Sequence, residues 1–573
     1  MKRVQKILAA ILASMFILAI IGGCGSSNNA SGETTVQQSQ SVQQTTTDPN
    51  ASPKKDGKYD PPVTINVAYG VDESTKFREG ETIEDNVHTR WMKEHLGIEI
   101  KSLWSVSTTN QGYENKLRLS LSANETLPDV FKMNSSEKNL MNDLIESGKV
   151  MAIDEPMDKY LSPRLKELLG KYPEAFRAVT SDGRKYAFPM LTNQSVADTL
   201  GYIRPDWLEK LGLKTPETLE EFEAVMDAFV NGDPDGNKQK DTYGMSVGLK
   251  SDGVDTGYNN YVGNASWVFG CYGKFMPTYW NDDGSGNLVY GSIQPNMKQG
   301  LAKLKEWFEK GYLEKDIGLK DGNDAAQKFI QGKSGSFFGA FWAPIWPLGD
   351  FEKNVPGGKY TAFKLPAGPN GQRGRIGSPL VQTYNMFNKD FKHMDAYFDY
   401  IDTIAGGEFG EETDAFKYGY AEGYDYVMID GKPVFDESKV PGGKLEVFKY
   451  FFTGNTFNIP GNEYKQYEKI YNGEPLTTGP EMNRAGLPKE LIHAGAVSYQ
   501  MADSNILDQF EGLPTETMKT KNEYLKKKEM ETFLKIIYGE LPLDAFDEFV
   551  TYWKANGGDQ ITKEVNEWYQ AAK

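Results

Sequence analysis

The chain has 573 residues, a formal net charge of −17 and two cysteines. Acidity of that size leaves no basic footprint for a nucleic-acid backbone, which demands clustered Lys and Arg. Two cysteines, one of them at the end of an apolar leader, exclude a disulfide framework within the chain.

The first residues speak to compartment. Lys2, Arg3 and Lys6 precede an apolar run over residues 7–21. That run is shorter than the ~20 residues a spanning helix needs, and with its basic flank it reads as a secretory leader. Ile21-Gly22-Gly23-Cys24 closes it and resembles a bacterial lipobox. The resemblance implies cleavage after residue 23, a lipid (palmitate) on Cys24 and a body held outside the cell membrane. The leader carries three positive side chains and no negative ones, so the mature chain falls to about −20. Residues 24–59 are Ser, Gln, Thr, Asn and Gly with few large apolar side chains, too polar to offset the entropy of ordering. They are expected to form a disordered tether. Cys271 is then unpaired and reads as a small buried hydrophobe.

Beyond the tether the pattern alternates between periods of two and 3.6. Val63, Ile65, Val67 and Tyr69 alternate with small or polar residues and predict a strand. A helix is expected over residues 86–96, stopped by Gly97, then a strand over 98–103, a helix over 113–121 and a strand entry at Leu127-Pro128-Asp129-Val130-Phe131. This β-α-β-α order predicts a mainly parallel sheet covered by helices. Thr218 and Glu221 have capping-box spacing before Phe222, Val225 and Phe229. Pro295 opens a helix carrying Met297, Leu301, Leu304 and Phe308, with Gly311 as its stop. Phe546, Phe549 and Trp553 make a further apolar stripe, and no later segment is long and apolar enough to span a bilayer.

Several segments then carry a family likeness. Gly183-Arg184-Lys185-Tyr186-Ala187-Phe188-Pro189, Ile203-Arg204-Pro205-Asp206-Trp207-Leu208 running on to Gly212-Leu213, and Phe329-Ile330-Gln331-Gly332-Lys333 are similar to stretches of family 1 bacterial extracellular solute-binding proteins. Gly423-Tyr424-Asp425-Tyr426, Pro514-Thr515-Glu516 and Val565-Asn566-Glu567-Trp568-Tyr569 resemble segments of their long LplA-type subgroup. The likeness runs from about residue 62 to the C-terminus. It implies an α/β, two-lobed periplasmic-binding-protein-like fold of type II, with hinge strands crossing between the lobes. It implies a first lobe over residues 60–200, a second over 201–374, and a remainder, 375–573, that returns to the first lobe and adds helices to both. It further implies a monomer that captures a carbohydrate between its lobes and delivers it to the permease subunits of an ABC importer.

A sugar-binding cleft needs aromatic plates for C–H faces and amides or carboxylates for hydroxyls. Aromatic clusters in predicted loops single out Trp342, Trp346 and Trp267, with Trp280 able to serve or simply to pack. Asn134 follows a strand end, where α/β sheets meet ligands. Asn193 lies near the hinge, and Tyr202 and Arg204 flank the crossover. Net negative charge disfavours a polyanionic sugar unless a local Lys or Arg patch overrides it, and Arg373 with Arg375 reads either as such a patch or, by preference, as part of a solvated loop. The alternatives are a peptide or another small polar solute, or presentation of ligand to a membrane sensor.

One loop suggests a metal. Asp233, Asp235, Asn237, Gln239 and Asp241 place oxygens at positions one, three, five, seven and nine, the spacing of an EF-hand. Lys238 stands where the usual glycine would be, and Gly244 replaces the closing glutamate. Alginate-binding members of the wider family have a similar calcium loop at a corresponding place, so structural calcium is expected. No catalytic motif is found: four histidines form no His-Glu-x-x-His, there is no Gly-x-Ser-x-Gly, and residue 327 is Gln rather than the glycine a phosphate loop needs.

Overall fold

The computed structural model describes residues 52–195, 198–250 and 257–572. The leader, Cys24 and the tether up to residue 51 lie outside the described residues. Nine strands build two sheets: β1 (Val63–Val71), β2 (Ile98–Ser107), β3 (Val130–Asn134), β4 (Ala187–Leu191), β5 (Thr199–Ile203), β6 (Tyr243–Ser246), β7 (Ser334–Ala340), β8 (Thr361–Phe363) and β9 (Val381–Phe387). The first sheet has the order β2-β1-β3-β9-β4 and the second β6-β7-β5-β8. β1 is parallel to β2 and β3, and β9 runs antiparallel between β3 and β4. β6 and β7 are parallel, with β5 antiparallel to both β7 and β8. This is the two-lobed α/β architecture of type II periplasmic-binding proteins.

Local chemistry explains the elements. The Asn86 side chain accepts from His88 N and Thr89 N, starting the helix Val87–Trp91, which widens into a π turn over Met92–Leu96. Gly97 ends it at φ 70°, and a side chain there would also collide with the Tyr59 carbonyl. Thr218 and Glu221 make the full reciprocal capping box on the helix Leu219–Asn231. Alternate residues of β1, from Val63 to Tyr69, are buried as the period-two reading requires.

Each sheet has its own core. Ile65, Val67, Phe131, Phe188, Met386, Tyr397 and Ile401 pack in the first lobe, joined by Val447, Tyr450 and Phe457 from the later chain. Phe222, Phe229, Met245, Trp307, Phe337 and Phe338 pack in the second. From Tyr464 onward the chain adds to that second core, with Phe533, Ile536, Phe549 and Trp553 from the helices Glu516–Ile537 and Ala545–Trp553. Cys271 is buried there, 2% exposed, and burial pushes its thiol up to about 12. None of the helices among the described residues is long and apolar enough to cross a membrane.

The expected tether does not reach residue 59. Lys54–Lys55 pairs with Lys58–Tyr59 in a small hairpin, and Tyr59 is buried with its hydroxyl on Asp399. One aromatic side chain seated on the helix Met394–Phe409 is enough to dock an otherwise polar stretch, so residues 52–59 belong to the folded body.

Three chain segments link the lobes side by side. Thr192 N donates to Leu380 O, while Leu191 O and Asn193 O accept from Asn458 N and Gly461 N. Successive residues of an extended chain direct their backbone groups to opposite edges. Residues 191–193 therefore run between the segments 377–381 and 458–461. Beneath them Arg375 and Asp198, both 0% exposed, form an ion pair at 3.3 Å. Arg375 also donates to Asn505 Oδ1, Thr199 O, Ser498 Oγ and Ser498 O, and Asp198 accepts from Ser378 N, Ser378 Oγ and Asn505 Nδ2. Arg373 and Arg375 thus make no cationic patch. Arg375 is internal, and Arg373 donates to the Leu365 and Glu217 carbonyls.

Candidate functional site

The crossing segments join matching ends of the two sheets. β1, β2 and β3 finish at Val71, Ser107 and Asn134, and β4 finishes at Leu191 on the same end. β5 begins at Thr199 opposite Ala340, the last residue of β7. The carboxyl ends of the main parallel strands in both lobes therefore meet at the crossing, the usual ligand position in open α/β sheets.

On the second lobe these ends carry an aromatic shelf. Phe341 turns inward against Tyr464 and Tyr467, with ring centroids at 5.1 and 5.7 Å. Trp342 is half-buried and stacks on Trp346 at 6.1 Å, and Tyr261 lies 6.2 Å from Trp342. Trp346 remains 54% and Tyr261 48% exposed. Exposed rings of this size, held by a strand end and by the backbone bond from Ala340 N to Tyr261 O, are plates rather than core.

The floor beside the shelf is amide-rich. Asn193 Nδ2 reaches Asn458 Oδ1 at 3.5 Å, and Asn193 Oδ1 is buried without a hydrogen-bond partner among the described residues. Ser195 Oγ donates to Glu463 Oε2 at 2.7 Å. On the first lobe Asn134 is exposed at the end of β3 and donates to Glu114 Oε1 at 2.8 Å. Next to it a cavity of about 270 Å³ is lined by Asp72, Thr75, Thr108, Lys132 and Gly454.

Four sequence candidates sit elsewhere. Trp267 is 0% exposed and stacks on Phe338 at 4.3 Å in the second core. Asn264 Oδ1 accepts from Ser266 N and Ser266 Oγ, which bends the polar-looking approach inward. Tyr202 is also 0% exposed, with its hydroxyl on the Ala340 and Phe341 carbonyls, so it props the shelf from behind. Arg204 follows β5 at the far end of the sheet, 3% exposed, paired with Asp206 and stacked over Trp207. Trp280 packs, 4% exposed, against Tyr290 and Trp553.

A larger cavity, about 540 Å³ and lined from both lobes, opens on the flank of residues 377–381, away from the shelf. Ser135, Lys138 and Arg177 face it from the first lobe, and Asp508 and Glu511 from a loop bonded to Trp280. Burial pushes the Glu511 carboxyl up to about 7, and its Oε2 is buried without a hydrogen-bond partner among the described residues. The sequence gives no sign of this grouping, because it is assembled from three distant segments.

The oxygen-rich loop lies at the amino end of β7, opposite the shelf. Asn237 Nδ2 donates to Asp235 Oδ2 and Asp241 Oδ1, Asn237 Oδ1 accepts from Gln239 N, and Asp233 Oδ1 accepts from Lys238 N. Lys238 has φ 62°, the conformation its expected glycine would adopt. Lys333 Nζ stands 2.5 Å from Asp241 and 3.7 Å from Asp235, and its hydrogen bond holds the Asp241 carboxyl below the usual range. Among the described residues no group of three or more His, Cys, Asp or Glu is gathered to hold a metal. The donor set suits calcium all the same, and an ammonium already occupies the place of positive charge between two of its carboxylates.

Two lobes, crossing hinge strands and a shelf at the joined strand ends define a solute-binding protein. Residues 74–406, more than half of the chain, match the model of the bacterial extracellular solute-binding protein family, and the chain belongs to that family of binding proteins. It is 29% identical over 46% of its length to the fructooligosaccharide ABC transporter substrate-binding protein FusA of Streptococcus pneumoniae, spanning only 47% of that relative. It is 24% identical over 80% of its length to the polygalacturonan/rhamnogalacturonan-binding protein YtcQ of Bacillus subtilis, spanning 84% of it. Among solved structures, a solute-binding protein from Bifidobacterium longum infantis, described as binding HMO, superposes with TM-score 0.60 at 18% identity, covering 90% of this chain and 99% of that one. An EF-hand mutant of FusA with fructo-nystose superposes with TM-score 0.53 at 18% identity, covering 89% and 100%.

Proposed function

We propose that this protein captures an oligosaccharide between its lobes and presents it to the permease subunits of an ABC importer. The observation that carries the reading is the half-buried Trp342 stacked on the exposed Trp346, with the exposed Tyr261 beside them, at the strand ends where the lobes join. Aromatic faces take sugar C–H faces, and Asn193 and Asn134 supply amides for hydroxyls. FusA and YtcQ, by their names, bind carbohydrates, which supports the same ligand class here. The first lobe spans residues 52–191, the second is entered at residue 199, and the two hinge on the three crossing segments. Cys24 carries the lipid that holds the monomeric body to the outer face of the cell membrane, and no reaction is catalysed. A thermal-shift screen of the purified protein against neutral and acidic oligosaccharides, with di- and tripeptides alongside, tests this. One sugar class should raise the melting temperature saturably, since a ligand that binds only the folded state stabilises it by mass action. Stabilisation by peptides alone would overturn the carbohydrate assignment.

The loop from Asp233 to Asp241 binds one structural calcium ion, with Asp233, Asp235, Asn237 and Asp241 side chains and the Gln239 carbonyl as ligands. FusA has an EF-hand by the description of its mutant, which supports a cation in such a loop. The ion would sit at the far end of the second lobe and stiffen it without touching the sugar. Isothermal titration of chelator-treated protein should show uptake of one calcium ion, abolished in Asp235→Ala. A flat titration of the unaltered protein removes the ion.

A further inference from the structure

Resting on the carbohydrate reading above, we infer that Lys132 is a recognition residue of the first lobe and that it selects a sugar bearing a carboxylate, a uronate unit. Lys132 lies on β3 and lines the 270 Å³ cavity with Asp72, Thr75, Thr108 and Gly454. That cavity sits at the carboxyl ends of β1, β2 and β3. The chain leaves β1 for β2 on one side and crosses back to β3 on the other, so this is the topological switch point of the sheet.

The ammonium makes no hydrogen bond and no ion pair among the described residues; its one close partner is the Tyr113 ring, 5.3 Å away. Its stem is pressed by the Gly454 backbone, where a side chain would come within 2.4 Å of Lys132 Cδ. The nearby acids are engaged with their own donors. Asp72 Oδ1 accepts from Ser74 N at 2.8 Å and from Ser74 Oγ, and Glu114 Oε1 accepts from Asn134 at 2.8 Å. The other cation of the cavity, Lys449, bonds Ser74 Oγ at 2.8 Å and pairs with Glu446 at 2.6 Å. Burial lowers the Lys132 ammonium from its ordinary value, with Glu114 and Asp72 acting in the opposite sense. A partly desolvated ammonium with three unused donors is costly unless something completes it. A carboxylate completes it best, because it adds the attraction of an opposite formal charge to the hydrogen bond, which a sugar hydroxyl cannot supply.

The cavity is also on the side of the sugar plates. Gly454 leads into the segment 458–461, which flanks residues 191–193 on one edge and continues to Tyr464 against Phe341, the neighbour of Trp342. A sugar chain stacked on the shelf can therefore direct a carboxylate toward Lys132. The overall acidity of the chain does not oppose this, since charges farther off than a Debye length of about 8 Å are screened.

The test is calorimetric titration of the whole protein with galacturonate trisaccharide and with the neutral galactose trisaccharide at one pH and ionic strength. The acidic probe is expected to bind about tenfold or more tightly than the neutral one. Lys132→Met should abolish that preference, Lys132→Arg should keep part of it, and the melting temperature without ligand should hold in both. Equal affinity for the two probes, or a preference that survives Lys132→Met, overturns the role of Lys132 while leaving the carbohydrate reading intact. Failure of every sugar in the wider screen overturns both.

Discussion

Replacing Arg375 by alanine should unfold the region where the lobes join before anything else in the molecule gives way. Arg375 and Asp198 are both 0% exposed, and the guanidinium ties together residue 199, residue 498 and residue 505, which belong to separate passes of the chain. Removing one member of a buried pair leaves the other charge uncompensated, at a cost of about 3–5 kcal/mol. Asp198 would keep its bonds from Ser378 and Asn505 but lose its counter-charge. The expected result is a large fall in the urea midpoint of Arg375→Ala. The fall should be smaller in a double variant, Arg375→Met with Asp198→Asn, because loss of both charges avoids the stranded carboxylate. An unchanged midpoint in Arg375→Ala would mean that the pair does not hold the hinge. Arg375→Lys separates charge from geometry: it preserves the cation but cannot reproduce the fork that reaches five acceptors.

How much of this was legible beforehand depends on how far apart the cooperating residues lie. Thr218 and Glu221 are separated by three residues, so their capping box can be read directly and is found in place. The strand from Val63 and the helix from Pro295 follow their periodicity for the same reason. The crossing of the lobes was legible only through family likeness, because Thr192 meets Leu380 and Asn193 meets Gly461 across hundreds of residues. The shelf was half legible. Phe341-Trp342-Ala343-Pro344-Ile345-Trp346 is dense in aromatics, and the structure spreads them between core and surface, with Phe341 inside and Trp346 outside. Lys132 gave no local signal, since a lysine between Phe131 and Met133 reads as the outward face of any strand. Only the arrival of Gly454 from the distant chain turns that face into a cavity wall.

Trp267 and Trp342, alike in sequence as aromatics after short polar approaches, should fail in opposite ways when replaced by alanine. Trp267 is enclosed by Phe222, Trp307 and Phe338 at centroid distances of 5.8, 6.0 and 4.3 Å. Its removal opens a cavity in the second core and should cost about 3–5 kcal/mol, seen as an earlier denaturation midpoint, while folded protein still binds sugar. Trp342 is half-buried between the second core and the shelf rings Trp346 and Tyr261, so its removal should cost the unliganded protein less than that of Trp267. The loss should fall on binding, about 2 kcal/mol or roughly thirtyfold in Kd for the sugar that stabilises the parent most. Titrating both variants with that sugar and melting both without it separates the two roles. A Trp342→Ala protein that binds as the parent does would move the sugar off the shelf. The 540 Å³ cavity on the opposite flank, with Arg177 and Glu511 facing across it, would then be the next place to look for it.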